Sequence, residues 1–251
     1  MDIELKTLIG LTIFFIIEIF LVLLILFFSF LINPLEQQTL ENTTIEYNNT
    51  NEILLNTTIL NKTHSEFVTI NISIDKKLSE YYRTKKIIAS DDDNIFYNQF
   101  FNQEPGQEVF KNIYEYHYNN TYNEEETFRS IQYYIGGIPY RYSRTFYFPI
   151  TIVDQNYGAC FDKSILFIEI FKHAEYGLAL LDFPSDNHMA VGILCTEPLF
   201  DEYCFLETTT KHSRINNLNV TYSGGNILNY DDYKIIEIYE GKTLNITGWN
   251  G

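Results

Sequence analysis

Three side chains in this sequence have the chemistry of an activated nucleophile, and they occur in a workable order. Cys160 lies in Gly158-Ala159-Cys160-Phe161-Asp162, His188 opens His188-Met189-Ala190-Val191-Gly192, and Glu207 lies in Phe205-Leu206-Glu207-Thr208-Thr209. A thiol attacks a carbonyl carbon efficiently when a base takes its proton, and the base works best when a third group fixes its tautomer. Cysteine, histidine and glutamate can fill those three roles. Each also has a bland reading. A lone cysteine is most often a small buried hydrophobe, and a lone histidine at a strand edge is most often a satisfied polar residue. The ordered set, not any one member, points to chemistry.

The elements that must position them can be read locally. Cys160 opens an apolar run through Ile165, Leu166, Phe167, Ile168, Ile170 and Phe171 that predicts a helix buried around most of its circumference. At a helix start, unpaired N–H groups and the positive dipole end favour a thiolate and can hold an oxyanion. Gly158 permits close backbone approach, and Asp162 reads as a structural residue of the first turn. The helix is expected to end at Gly177. That places His173 inside it, thirteen residues and about 20 Å from Cys160. His64 falls in a polar segment and His117 precedes a polar loop, so His212 is the rival to His188.

Four strands are predicted after the helix: Leu178 to Phe183, His188 to Leu194, Tyr203 to Thr208, and Lys234 to Tyr239. Glu207 shares its alternate face with Tyr203 and Phe205, where a carboxylate is costly to bury unless paired. Antiparallel pairing of the second and third strands brings it to His188. Upstream, Asp91-Asp92-Asp93-Asn94 reads as a helix start, with one or two helices to about Tyr118. Glu124-Glu125-Glu126 opens another helix that Gly136-Gly137 and Pro139 stop. Tyr140 to Ile152 reads as an extended, aromatic-rich lead-in. Helices first and antiparallel strands later make the class α+β.

Residues 1–32 are expected to be a transmembrane anchor. Leu8 to Ile32 is apolar apart from Gly10, Thr12, Glu18 and Ser29, and as a helix its length is about 37 Å, enough to cross a bilayer with tilt. Lys6 before the span and Glu36 and Glu41 after it favour the amino end inside and the bulk outside. Residues 33–85 read as an Asn/Thr-rich extracellular stalk, with a possible strand over Phe67 to Ile74, and 86–251 as the main domain. Asn42, Asn48, Asn56, Asn61, Asn71, Asn119, Asn219 and Asn245 begin glycosylation sequons, and five of the eight cluster at residues 42–71, beside the anchor. The net charge of −16, with 33 acidic against 17 basic side chains, makes nucleic acid an unsuitable partner.

Cys195 and Cys204 flank the loop between the second and third strands. They either close that hairpin as a disulfide or remain two buried thiols, and in both cases Cys160 is the odd cysteine. No zinc spacing, P-loop or dinucleotide fingerprint occurs, so no metal or cofactor is expected.

Four blocks together carry a resemblance: Gly158-x-Cys160-x-Asp162-x-Ser164-Ile165-Leu166, Gly177 with Ala179-Leu180-Leu181, His188 to Gly192, and Tyr203 to Thr209. Over residues 90–240 the chain resembles transglutaminase-like (papain-related) cysteine enzymes of the prokaryotic, membrane-anchored type. The resemblance implies a helical lobe carrying the nucleophile against an antiparallel sheet, with Cys160 as nucleophile, His188 as base and Glu207 as third member. Ala159 and Phe161 depart from relatives that carry acids on either side of the cysteine. Gln155 and Tyr147 are candidates for the oxyanion donor. The implied activity is thiol acyl transfer at the cell surface on a protein or peptide substrate, by hydrolysis (a cysteine peptidase) or by transamidation (a crosslinking transglutaminase). A non-catalytic surface binding module that keeps the fold is the alternative.

Overall fold

The computed structural model describes residues 44–47, 52–61, 66–211, 215–216 and 230–246, those before Ile74 by backbone alone. The expected anchor, His64 and His212 lie outside these residues. Among the described residues no helix is long and apolar enough to cross a membrane.

The segment assigned to a stalk contains regular structure. Strands β1 (Thr44–Tyr47), β2 (Glu52–Asn61) and β3 (Glu66–Asp75) form an antiparallel sheet in that order. Helix α1 (Lys76–Thr84) follows at once, its start fixed by Asp75, whose carboxylate accepts the Lys77 N–H. In α2 (Asp93–Asn98) the cap is Asp92, which accepts the Asn94 and Ile95 N–H groups. Helix α3 (Glu104–Asn119) has proline in its first turn. Asn123 caps α4 (Glu124–Gly137), and three glutamates in its first turn face the dipole.

Two short helices then lead into the sheet. Pro149–Gln155 is helix α5, a correction to the extended lead-in expected there. Pro149 pre-sets the first helical φ, and every residue through Asp154 is buried. Helix α6 (Cys160–Phe171) stops earlier than expected, because a 3₁₀ turn over Lys172–Ala174 and a left-handed Glu175 (φ 63°) break it before Gly177. His173 therefore lies in that turn, not in the helix.

Strands β4 (Leu178–Phe183), β5 (His188–Leu194), β6 (Tyr203–Leu206) and β7 (Lys234–Tyr239) form an antiparallel sheet ordered β6-β5-β4-β7. The class is α+β. The third predicted strand is shorter than expected, so Glu207 stands just past the paired segment.

Helix α6 is the axis of the core. Every residue after Cys160 is buried. The helix packs on β5 on one side and against α3, α4 and α5 on the others. Phe128 of α4 meets Phe167 and Phe171 edge-on at 5.6 and 5.3 Å. Alternation along the sheet sends Leu178, Leu180, Val191 and Ile193 into this core. It sends Leu181, Phe183, Ala190 and Phe205 into a second, smaller cluster on the other face.

Gly136 is where α4 meets the segment after β6. A Cβ there would lie 2.2 Å from the Thr210 carbonyl oxygen, which Gln132 also binds at 2.6 Å. Backbone cannot yield as a flexible side chain can. Gly136→Ala is therefore expected to destabilise the protein by about 3 kcal/mol, read as a drop in thermal midpoint. A midpoint within a degree of the parent would contradict this packing.

Candidate active site

Helix α6, which begins at the candidate nucleophile Cys160, starts with an open end. Ala159 at its N-cap has no acceptor, so no side chain takes the first amides. Asp162 reaches back instead. Its Oδ2 accepts the Ala159 N–H at 2.9 Å, and its Oδ1 accepts the Tyr147 N–H at 3.3 Å. One carboxylate thus ties the turn before Cys160 to the 140–148 segment, the structural role its position implied. Burial raises its pKa from 3.8 to about 6 against the pull of those two amides. Gly158 leaves room for this arrangement, since a Cβ there would sit 2.9 Å from the Asp162 Cβ.

His188 comes from the other side. Asn187, in a left-handed conformation (φ 49°), ends a 3₁₀ turn and aims the chain into β5. Val191 opposes Leu206 across β5 and β6. Continued by one step, this register sets Glu207 against Ala190, on the diagonal from His188. His188 Nε2 and Glu207 Oε2 are 2.8 Å apart, and both side chains are almost wholly buried. Glu207 Oε1 accepts the Thr209 N–H at 2.7 Å.

Cys160 lies close enough to the His188 ring to act on its charge, and it helps to raise the ring's pKa. Nε2 is committed to Glu207, which leaves Nδ1 for the sulfur. Cys160 is a free thiol and part-exposed, so solvent and small molecules reach it. The three expected residues therefore gather in one place, His188 bonded to Glu207 and within electrostatic reach of Cys160. Burial by itself lowers the His188 pKa. The influence of Cys160 and Glu207 outweighs burial and raises it from 6.5 to about 10. For Glu207 burial likewise acts alone in raising the pKa, and the hydrogen bond and charge of His188 leave it lowered overall. The ring is held charged at neutral pH, the form that stabilises an adjacent thiolate.

Two contributors were not singled out from sequence. Ser164, one turn after Cys160, donates from Oγ to the Met189 carbonyl at 3.3 Å and meets Thr208 Oγ1 at 3.1 Å. Met189 follows His188 and Thr208 follows Glu207, so one hydroxyl fastens α6 to the neighbours of both partners. Lys163 is fully buried, and its Nζ donates to the Gly136 carbonyl at 3.3 Å, near the C-terminal end of α4. Burial lowers its pKa from 10.5 to about 8, with the Glu207 and Cys160 charges opposing and Lys211 adding to the fall. A lysine inside an otherwise apolar helical run was the available signal.

The oxyanion donors expected on side chains have other partners. Gln155 Nε2 donates to the Tyr157 carbonyl at 2.9 Å, and Tyr147 Oη lies 3.3 Å from Ser143 Oγ. The open backbone amides at the start of α6 are the better-placed donors. Among the described residues, no three His, Cys, Asp or Glu side chains gather as a metal would require.

Cys195 and Cys204 are joined by a disulfide across the β5–β6 connection. Of the two alternatives, the structure holds the bonded one. Closing this short loop stabilises by about 2–3 kcal/mol in the chain-entropy account. Reduction is expected to lower the thermal midpoint, and alkylation to add one adduct per chain before reduction and three after. Three adducts on the unreduced protein would contradict the pairing.

The chain matches no protein-family model, and a search of curated proteins returns no match.

Proposed function

We propose that the chain is a membrane-anchored extracellular thiol acyl-transfer enzyme of the transglutaminase-like, papain-related kind, acting as a cysteine peptidase. One observation carries this reading: the part-exposed free thiol of Cys160 beside the buried, hydrogen-bonded pair of His188 and Glu207. Cys160 attacks an amide carbonyl, and the developing oxyanion lies against the free amides at the start of α6. His188 holds the thiol proton and delivers it to the leaving amine, while Glu207 keeps the ring oriented. Water then cleaves the thioester.

An amine in place of water would give a crosslink through the same intermediate. The disulfide between Cys195 and Cys204 fits an oxidising compartment, which supports an outside location for the domain. Full-length protein in detergent, incubated with a peptide mixture and a primary amine, tests the reading by mass spectrometry. Cleaved peptides are expected. Amine-joined products would select transamidation, and no products of either kind would favour the binding module.

A further inference from the structure

The segment of chain that leads to Cys160 has a charge opposite to that of the whole. The chain carries 33 acidic and 17 basic side chains, yet no carboxylate occurs from Thr127 to Val153. That stretch includes the segment leading to the nucleophile, with Arg141 and Arg144. Both are exposed, and neither has an ion-pair partner among the described residues.

Arg141 is held in place on three counts. Its N–H donates to the Gly158 carbonyl at 3.1 Å, next to a parallel bridge between Tyr140 and Gly158. Its guanidinium lies over the Tyr157 ring, 4.6 Å from the centroid. Gly158 is two residues from Cys160, so its Cα lies at most about 7 Å from that of Cys160. Stacking occupies the face of a guanidinium and leaves its N–H edge free for a carboxylate.

A pocket of about 580 Å³ adjoins the same Tyr157 ring. Arg83 and Lys85 line it. Its one carboxylate, Asp154, is already bound by Arg83 at 2.6 Å and by Ser79. Tyr147, whose amide is tied to the nucleophile turn through Asp162, forms part of its wall. The cations on this side therefore exceed the carboxylates, and a neutral substrate would leave them unmatched.

We infer that the acyl donor is anionic, with a carboxylate close to the amide under attack, and that Arg141, stacked on the Tyr157 that helps to line this pocket, binds it. The inference rests on Cys160 being the nucleophile and names the substrate class for that site.

Two alkylating agents of nearly equal size test it, iodoacetate and iodoacetamide. Each forms a carbon–sulfur bond at Cys160 and releases iodide, and they differ in charge. In full-length protein the iodoacetate-to-iodoacetamide rate ratio is expected to exceed that of a free thiol. It should fall about three- to tenfold in Arg141→Gln and less in Arg141→Lys, and shrink as salt is added. Lys242→Gln, whose side chain pairs with Glu124 away from this segment, should leave the ratio unchanged. An unaltered ratio in Arg141→Gln, with Cys160 still labelled, would overturn anion recognition and leave the thiol chemistry standing. Failure of either agent to label Cys160 in the parent would overturn the nucleophile assignment, and this inference with it.

Discussion

His188→Ala is expected to slow iodoacetamide labelling of Cys160 at pH 7 by about tenfold or more, because the variant lacks the ring that takes the thiol proton. Amide turnover should fall further, by about 10³-fold or more, since the same ring must also protonate the leaving amine. The two losses separate the roles. Labelling needs only the thiolate, while turnover needs the proton returned. Labelling that survives at the parental rate would remove His188 from the site, whatever its distance from the sulfur. The labelling is followed by the mass of the peptide containing Cys160.

The second large effect falls on stability. Removing the carboxylate in Glu207→Ala leaves His188 buried with one partner fewer and is expected to destabilise by about 3–5 kcal/mol. Glu207→Gln keeps the shape and isolates the charge. The His188 pKa rises from 6.5 to about 10 on folding. Its stabilisation is therefore fully present below pH 6.5 and is lost as pH climbs through about 10. Lys163 runs the other way. Its pKa falls from 10.5 to about 8, so the folded state binds fewer protons above pH 8 and gains stability as pH rises there.

The useful window is pH 6.5 to 8, where folded Lys163 reaches half-ionisation only at the upper edge and contributes equally in parent and variant. Across it the parent should lose about 1.5 kcal/mol, and Glu207→Gln distinctly less. Urea unfolding at the two pH values measures both slopes. Equal slopes in parent and variant would contradict the charged pair.

What could be read in advance follows from the size of each signal. Helix α6, long and apolar on all sides, was legible from Cys160 onward, and so were β4, β5 and β7. Asn187 marks the start of β5 and Gly177 that of β4 with little ambiguity. The meeting of His188 with Glu207 was legible too, because antiparallel pairing of two consecutive strands leaves few registers. Helix α5 was not. It is only seven residues long, too short for a helical period to show, and the aromatic-rich stretch from Tyr140 to Ile152 reads as extended. Helix α1 is short, and its cap, Asp75, is also the last residue of β3.

Lys163 and Ser164 were visible as residues but not as contacts. Their partners, Gly136, Met189 and Thr208, come from elements that only the tertiary fold brings to one face. The end of α6 was misplaced because Glu175 takes the left-handed turn that glycine was expected to supply two residues later.

The most direct measurement is to catch the acyl group on sulfur. Full-length protein mixed with p-nitrophenyl acetate and quenched in acid should carry an acetyl group on the peptide containing Cys160. Hydroxylamine should remove it, as it does a thioester, and the His188→Ala protein should acquire it at least about tenfold more slowly. Acetylation confined to lysines, with Cys160 unmodified at every quench time, would contradict the account.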